Sequence, residues 1–232
     1  MINVKLDFQE RCDEINRYFE FLEKIITRSG KILYSDGKSE NIDSILIKTL
    51  KANGFLLLYN LAESSIKQAI QAIFEEIIKD NVKYEDAKEE IRKEFVKFMK
   101  KVNANDFVFS VNNLSEDLIS YCLSVKQQPT DTQPQYIKEL FSGNVHADTV
   151  RKLAEKYGFS FATNPRLTNN GRALQTVKDK RNDLAHGVFS FQAIGKDYTI
   201  EDLIKMKKQV LAYLEQILDN IEQYINKKEF LK

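Results

Sequence analysis

What most constrains this chain is the scarcity of helix breakers: 232 residues hold only eight glycines and three prolines. In a helix interior these two residues cost about 1 and 3 kcal/mol relative to alanine. A chain poor in both and rich in Lys, Glu, Leu and Ile is expected to be mainly helical. The apolar spacing agrees. Over 8–27, Ile15, Phe19, Leu22 and Ile26 follow steps of four, three and four, and Gly30 stands just beyond as a stop. Ser35, Asp36 and Gly37 mark a loop, after which Asp43 is placed to cap a helix running to about Lys79. Its stretch Phe55 to Leu58 is apolar all round, which implies central burial. Further helices are expected over 84–101, with Ile91, Phe95 and Phe98 on one side, and over 114–125.

From Lys126 to Asn144 the composition turns to Pro, Gly, Gln and Thr, and a long surface loop is expected. A short helix over 148–157 should end at Gly158, followed by a turn at Thr163, Asn164 and Pro165. Thr168 can cap a helix over 170–186 that Gly187 terminates. Thr199-Ile200-Glu201-Asp202 begins a last helix in the manner of a capping box, with the stripe Leu203, Val210, Leu214, Ile217, Ile221 and Ile225. The expected architecture is a single all-α domain over 1–232, a compact bundle of four or five long helices plus short ones.

Composition also narrows function. Cys12 and Cys122 form no paired motif, so neither a disulfide framework nor a cysteine-rich zinc site is expected, which fits a reducing compartment. No apolar run reaches the length of a membrane span and the N-terminus lacks a signal-peptide layout, so a cytoplasmic protein is expected. A net charge of +1 argues against binding nucleic acid over the whole surface but leaves room for a local basic site. No glycine-rich phosphate loop, G-x-S-x-G or H-E-x-x-H occurs, and no cofactor is expected.

With two histidines, any imidazole acid or base must be His146 or His186. His146 reads as an exposed polar residue entering a short helix. His186 closes Lys178-Asp179-Lys180-Arg181-Asn182-Asp183-Leu184-Ala185-His186-Gly187, so a cation, an amide and a carboxylate lie within two helical turns of it. On a helical wheel Arg181 falls among Leu174, Val177, Leu184 and Ala185, where a guanidinium needs a partner. Glu63, in the stripe of Leu56, Tyr59, Ile66, Ile70 and Phe74, is the expected counter-ion. Asn182 and His186 share a helix face, whereas Arg181 and His186 point about 140° apart. Two copies of this helix packed about a two-fold axis would bring both kinds of side chain into one groove. From Arg166 to Gly187, five basic residues (Arg166, Arg172, Lys178, Lys180 and Arg181) face two acidic ones, an excess of three charges suited to an anionic ligand.

Arg181-Asn182-Asp183-Leu184-Ala185-His186 resembles the R-x(4–6)-H motif of the HEPN superfamily. Leu58-Tyr59-Asn60-Leu61-Ala62-Glu63-Ser64, Ser142-Gly143-Asn144-Val145, Lys156-Tyr157-Gly158-Phe159 and the run from Lys180 to Gly187 together are similar to the bacterial MAE-type HEPN proteins. The resemblance implies an α-helical bundle that dimerises through the motif helix, and an endoribonuclease needing no metal, often in toxin–antitoxin or other defence systems. It implies His186 as general acid or base and Arg181 as the group holding the scissile phosphate. It also implies Asn182 as a support for phosphate binding or for the histidine and an antitoxin protein as a further partner, while the stripe and the local charge excess add Glu63 and Asp183 as supporting residues and Arg172, Lys178 and Lys180 as RNA contacts. Val188 stands where some of these toxins carry a tyrosine that their partner modifies, so that form of silencing is not expected here. Some relatives keep the fold as non-catalytic RNA-binding or scaffold modules, the alternative reading.

Overall fold

The computed structural model describes residues 1–102, 114–126 and 144–232, with side chains left out at 98–102 and 124–126. Among the described residues the fold is all-α apart from one small hairpin. In chain order the elements are α1 (Ile2–Thr27), β1 (Lys31–Leu33), β2 (Ser39–Asn41), α2 (Ser44–Lys79), α3 (Glu89–Val102) and α4 (Leu114–Lys126). They continue as α5 (Ala147–Tyr157), α6 (Pro165–Thr168), a single 3₁₀ turn (Asn169–Gly171), α7 (Arg172–Ala185), α8 (Phe191–Lys196) and α9 (Ile200–Asn226). Most of the expected loop between Lys126 and Asn144, and the side chain of Phe98, lie outside the described residues.

Two compact units divide the chain. One comprises Lys5–Ser64 and Asn164–Leu214. Its α1 buries Phe8, Cys12, Ile15, Phe19, Leu22 and Ile25, so the expected stripe is extended towards the N-terminus and closes on Ile25 rather than on Ile26, which is half-buried. In α2, Phe55 and Leu58 are buried, while Leu56 and Leu57 are half-buried, so the segment is not enclosed on all sides. Gly54 is there because a methyl group would sit 3.0 Å from the Phe19 ring. The Phe55 ring meets Tyr198 edge to face at 4.9 Å, and Lys51 Nζ donates to the Tyr198 carbonyl. Asp43 caps α2 as expected, its carboxylate accepting from the Ile45 N–H.

The other unit comprises Met1–Val4, Ser65–Thr163 and Glu215–Lys232. Its centre is aromatic: Phe74 meets Tyr121 and Tyr157 edge to face, and the Tyr224 hydroxyl donates to the Tyr157 carbonyl at 2.6 Å. Gly158 ends α5 at φ 83°. His146 caps that helix through Nδ1, which accepts from the Thr149 N–H at 3.0 Å. This second histidine is therefore half-buried and structural rather than a freely exposed polar group.

Four elements depart from expectation. The helix α3 begins at Glu89 rather than at Tyr84, because the residues before it form a turn in which the Asp86 and Ala87 N–H groups donate to the Lys83 carbonyl. The stretch around Ser35–Gly37 is the turn of an antiparallel hairpin in which Ile32 pairs with Glu40. Its strands are three residues long with no buried face, so no alternation announces them. Thr168 does not cap α7: it is fully buried and its hydroxyl donates backwards to the Asn164 carbonyl. Asn169, Asn170 and Gly171 then take left-handed backbone angles in succession, delaying α7 to Arg172. The helix α8 was not expected. Six residues give little periodicity, and its signature is Ser190, whose hydroxyl accepts from the Ala193 N–H. The last helix starts as read, with Thr199 and Asp202 exchanging backbone and side-chain hydrogen bonds.

Candidate functional site

The motif residues lie at the C-terminal end of α7, in the unit formed by Lys5–Ser64 and Asn164–Leu214. Leu174, Val177 and Leu184 bury one face of this helix. Its end is a Schellman motif. The Val188 N–H donates to the Asp183 carbonyl at 2.9 Å and the Gly187 N–H to the Leu184 carbonyl at 3.2 Å, with Gly187 left-handed at φ 67°. This geometry makes His186 the C-cap residue just past the last helical residue, exposed, beside the negative end of the helix dipole. Its imidazole has no hydrogen-bond partner among the described residues and is open to an incoming group.

Arg181 points the other way, as the wheel requires. Its guanidinium does not pair with Glu63. Among the described residues it forms no ion pair, and its Cζ lies 4.4 Å from the centroid of the Tyr59 ring. Tyr59 precedes Glu63 by one turn of α2 on the same side of the helix and is fully buried, so the cation is received by an aromatic face before it reaches the carboxylate. Glu63 is half-buried. One guanidinium nitrogen, Nη1, donates to the Asn182 side-chain oxygen at 3.1 Å, so Arg181 and Asn182 form one unit.

A partner carboxylate would neutralise the guanidinium, whereas a ring and an amide hold it in place with its charge intact. The site is therefore a fixed cation that retains its capacity for an anion. Tyr59 is the residue that sequence reasoning placed among apolar neighbours without a role. Its signal was an aromatic with a polar tip, one turn from a carboxylate, on the stripe facing an arginine.

The surrounding charges are partly occupied. Lys178 is half-buried and pairs with Asp179 at 2.9 Å. Lys180 Nζ lies 3.3 Å from the Asp183 carboxylate and 5.9 Å from the centre of the Phe189 ring. Asp183 thus ties down a lysine with its side chain and the end of α7 with its carbonyl. Arg172 is exposed at the opposite end of α7, beside an open groove also lined by Thr176, Tyr198, Asp202, Lys205 and Gln209. About 20 Å of helix therefore separates it from His186. Among the described residues, no three His, Cys, Asp or Glu side chains are grouped to hold a metal ion. Also among the described residues, no helix is long and apolar enough to cross a membrane.

An all-α fold with an arginine and a histidine five residues apart at a helix end is the arrangement of the HEPN class that the sequence resembles. The family model described as HEPN_MAE_28990-like HEPN matches residues 3–230, and the chain belongs to that family. No curated protein and no solved structure matches the chain.

Proposed function

We propose that this HEPN protein is an endoribonuclease that cuts single-stranded RNA through Arg181 and His186, with no metal in the chemical step. The observation that carries this reading is the pairing, on one helix end, of an open imidazole with a guanidinium held at Tyr59 and Asn182 and not neutralised by a carboxylate. RNA carries its own nucleophile. His186 takes the proton of a ribose 2′-hydroxyl as that oxygen attacks the adjacent phosphorus, and Arg181 stabilises the charge gathering on the non-bridging oxygens. The bond to the 5′-oxygen breaks and that oxygen takes a proton. The products are a 2′,3′-cyclic phosphate and a 5′-hydroxyl.

The protein works as a cytoplasmic homodimer through α7, whose two-fold packing sets a second His186 near each Arg181 and supplies the acid for the leaving oxygen. Arg172, Lys178 and Lys180 hold RNA along α7, and the activity belongs to a toxin–antitoxin or defence system with an antitoxin protein as partner. The test is to induce wild type and His186→Ala in cells and sequence RNA ends. New ends and arrested growth are expected with wild type alone. RNA binding with no new ends would support the non-catalytic alternative instead.

A further inference from the structure

We propose that Phe189 is a stacking platform for a nucleobase of single-stranded RNA beside the Lys180 ammonium at the end of α7. The inference rests on the ribonucleic acid reading above and extends it to a base-binding subsite. The connector from α7 to α8 holds two apolar side chains in water: Val188 is 62% exposed and Phe189 50% exposed. They are not there through looseness of the chain. The Val188 and Phe189 N–H groups both donate to the Asp183 carbonyl, and the next residue, Ser190, caps α8. A Phe fixed at both ends and left half in solvent pays little ordering entropy when a flat partner covers it.

Its surroundings select the partner. Lys180 Nζ stands 5.9 Å from the ring centre on a long 3.3 Å bridge to Asp183 that a phosphate can replace, and His186 and Arg181 lie within eight residues along the same turn and helix. An aromatic face interleaved with cations matches a strand in which bases alternate with phosphates, because the ring takes the base and the cations take the flanking charges. An apolar partner protein would complement Val188 and Phe189 but not the Lys180 ammonium beside the ring. Stacking tolerates any base, so this subsite sets affinity and the placing of the scissile bond more than sequence preference.

The chain has no tryptophan, so Phe189→Trp installs a single fluorescent reporter. The probes are a short single-stranded RNA, 2′-O-methylated so that it is not cut, and an abasic phosphodiester strand of the same length and charge. Trp quenching by the RNA and not by the abasic strand is the expected result. Phe189→Ala should bind the RNA about tenfold more weakly, and Phe189→Tyr should bind it like wild type. Equal quenching by both strands, no quenching by either, or unchanged affinity in Phe189→Ala would overturn the proposal. So would dissociation of an oligomer in Phe189→Ala, which would assign the ring to another copy of this chain. These outcomes do not depend on cleavage. If RNA is cut while the Trp stays unquenched, the platform fails and the nuclease stands; if the Trp is quenched and no RNA is cut, the reverse holds.

Discussion

A guanidinium held by an aryl face keeps its charge, whereas one held by a carboxylate has already met its anion before a substrate arrives. Tyr59 therefore affects what Arg181 can do as well as where it sits. Tyr59→Leu removes the face and is expected to lower kcat/KM on RNA about tenfold beyond any loss of folded protein, whereas Tyr59→Phe should retain most activity. Steady-state cleavage alongside thermal melts of both variants checks this. Equal losses in the two would mean that the tyrosine hydroxyl, not its ring, serves the site. Arg181→Lys should not rescue, because an ammonium cannot lie flat on the ring while donating to Asn182.

At the scale of elements, two glycines of the unit that carries the motif make opposite predictions. In α8, a methyl group on Gly195 would lie 1.8 Å from the Lys48 carbonyl oxygen of α2, a clash with backbone that no rotamer relieves. Gly195→Ala should cost about 3 kcal/mol or more, read as a fall in the urea midpoint. A methyl group on Gly187 meets nothing, and only its positive φ opposes substitution. Gly187→Ala should cost about 1 kcal/mol, and Gly187→Asn less.

These elements also show what the sequence could say. The long helices were legible because their stripes and caps are local: Asp43, Gly158, Gly187 and Thr199 act where the spacing put them. The hairpin and α8 were not, being too short to show a period, and three successive left-handed residues override the capping that Thr168 would otherwise provide. Of the site, the run from Arg181 to His186 could be read directly. The Tyr59 contact could not, because which residue of the α2 stripe meets Arg181 depends on how two distant segments pack, and spacing leaves Tyr59 and Glu63 equivalent.

At the scale of the whole chain, both cysteines are buried thiols. Burial pushes the Cys122 thiol from its ordinary value near 9 up to about 12, and the Tyr18 hydroxyl from 10 to about 12. Above pH 9 the unfolded chain releases these protons while the native chain keeps them. Their contribution to stability is complete below that pH and falls as pH rises towards 12. The urea midpoint should therefore drop between about pH 8.5 and 11, and Cys122→Ala, less stable at neutral pH, should show a shallower drop.

The family match runs from residue 3 to 230 and so includes both compact units, while the chemistry proposed here is drawn from the end of α7 alone. In the proposed reaction His186 and Arg181 drive attack by the RNA's own 2′-hydroxyl. The most direct measurement compares purified wild type with His186→Ala and Arg181→Ala on two single-stranded RNAs, one of them lacking the 2′-hydroxyl at the cut position. Wild type is expected to leave a 2′,3′-cyclic phosphate on the first and to spare that bond in the second, and both variants should lose cleavage by at least about a hundredfold. Cleavage of the deoxy-substituted bond, or full activity in His186→Ala, would contradict the proposed reaction.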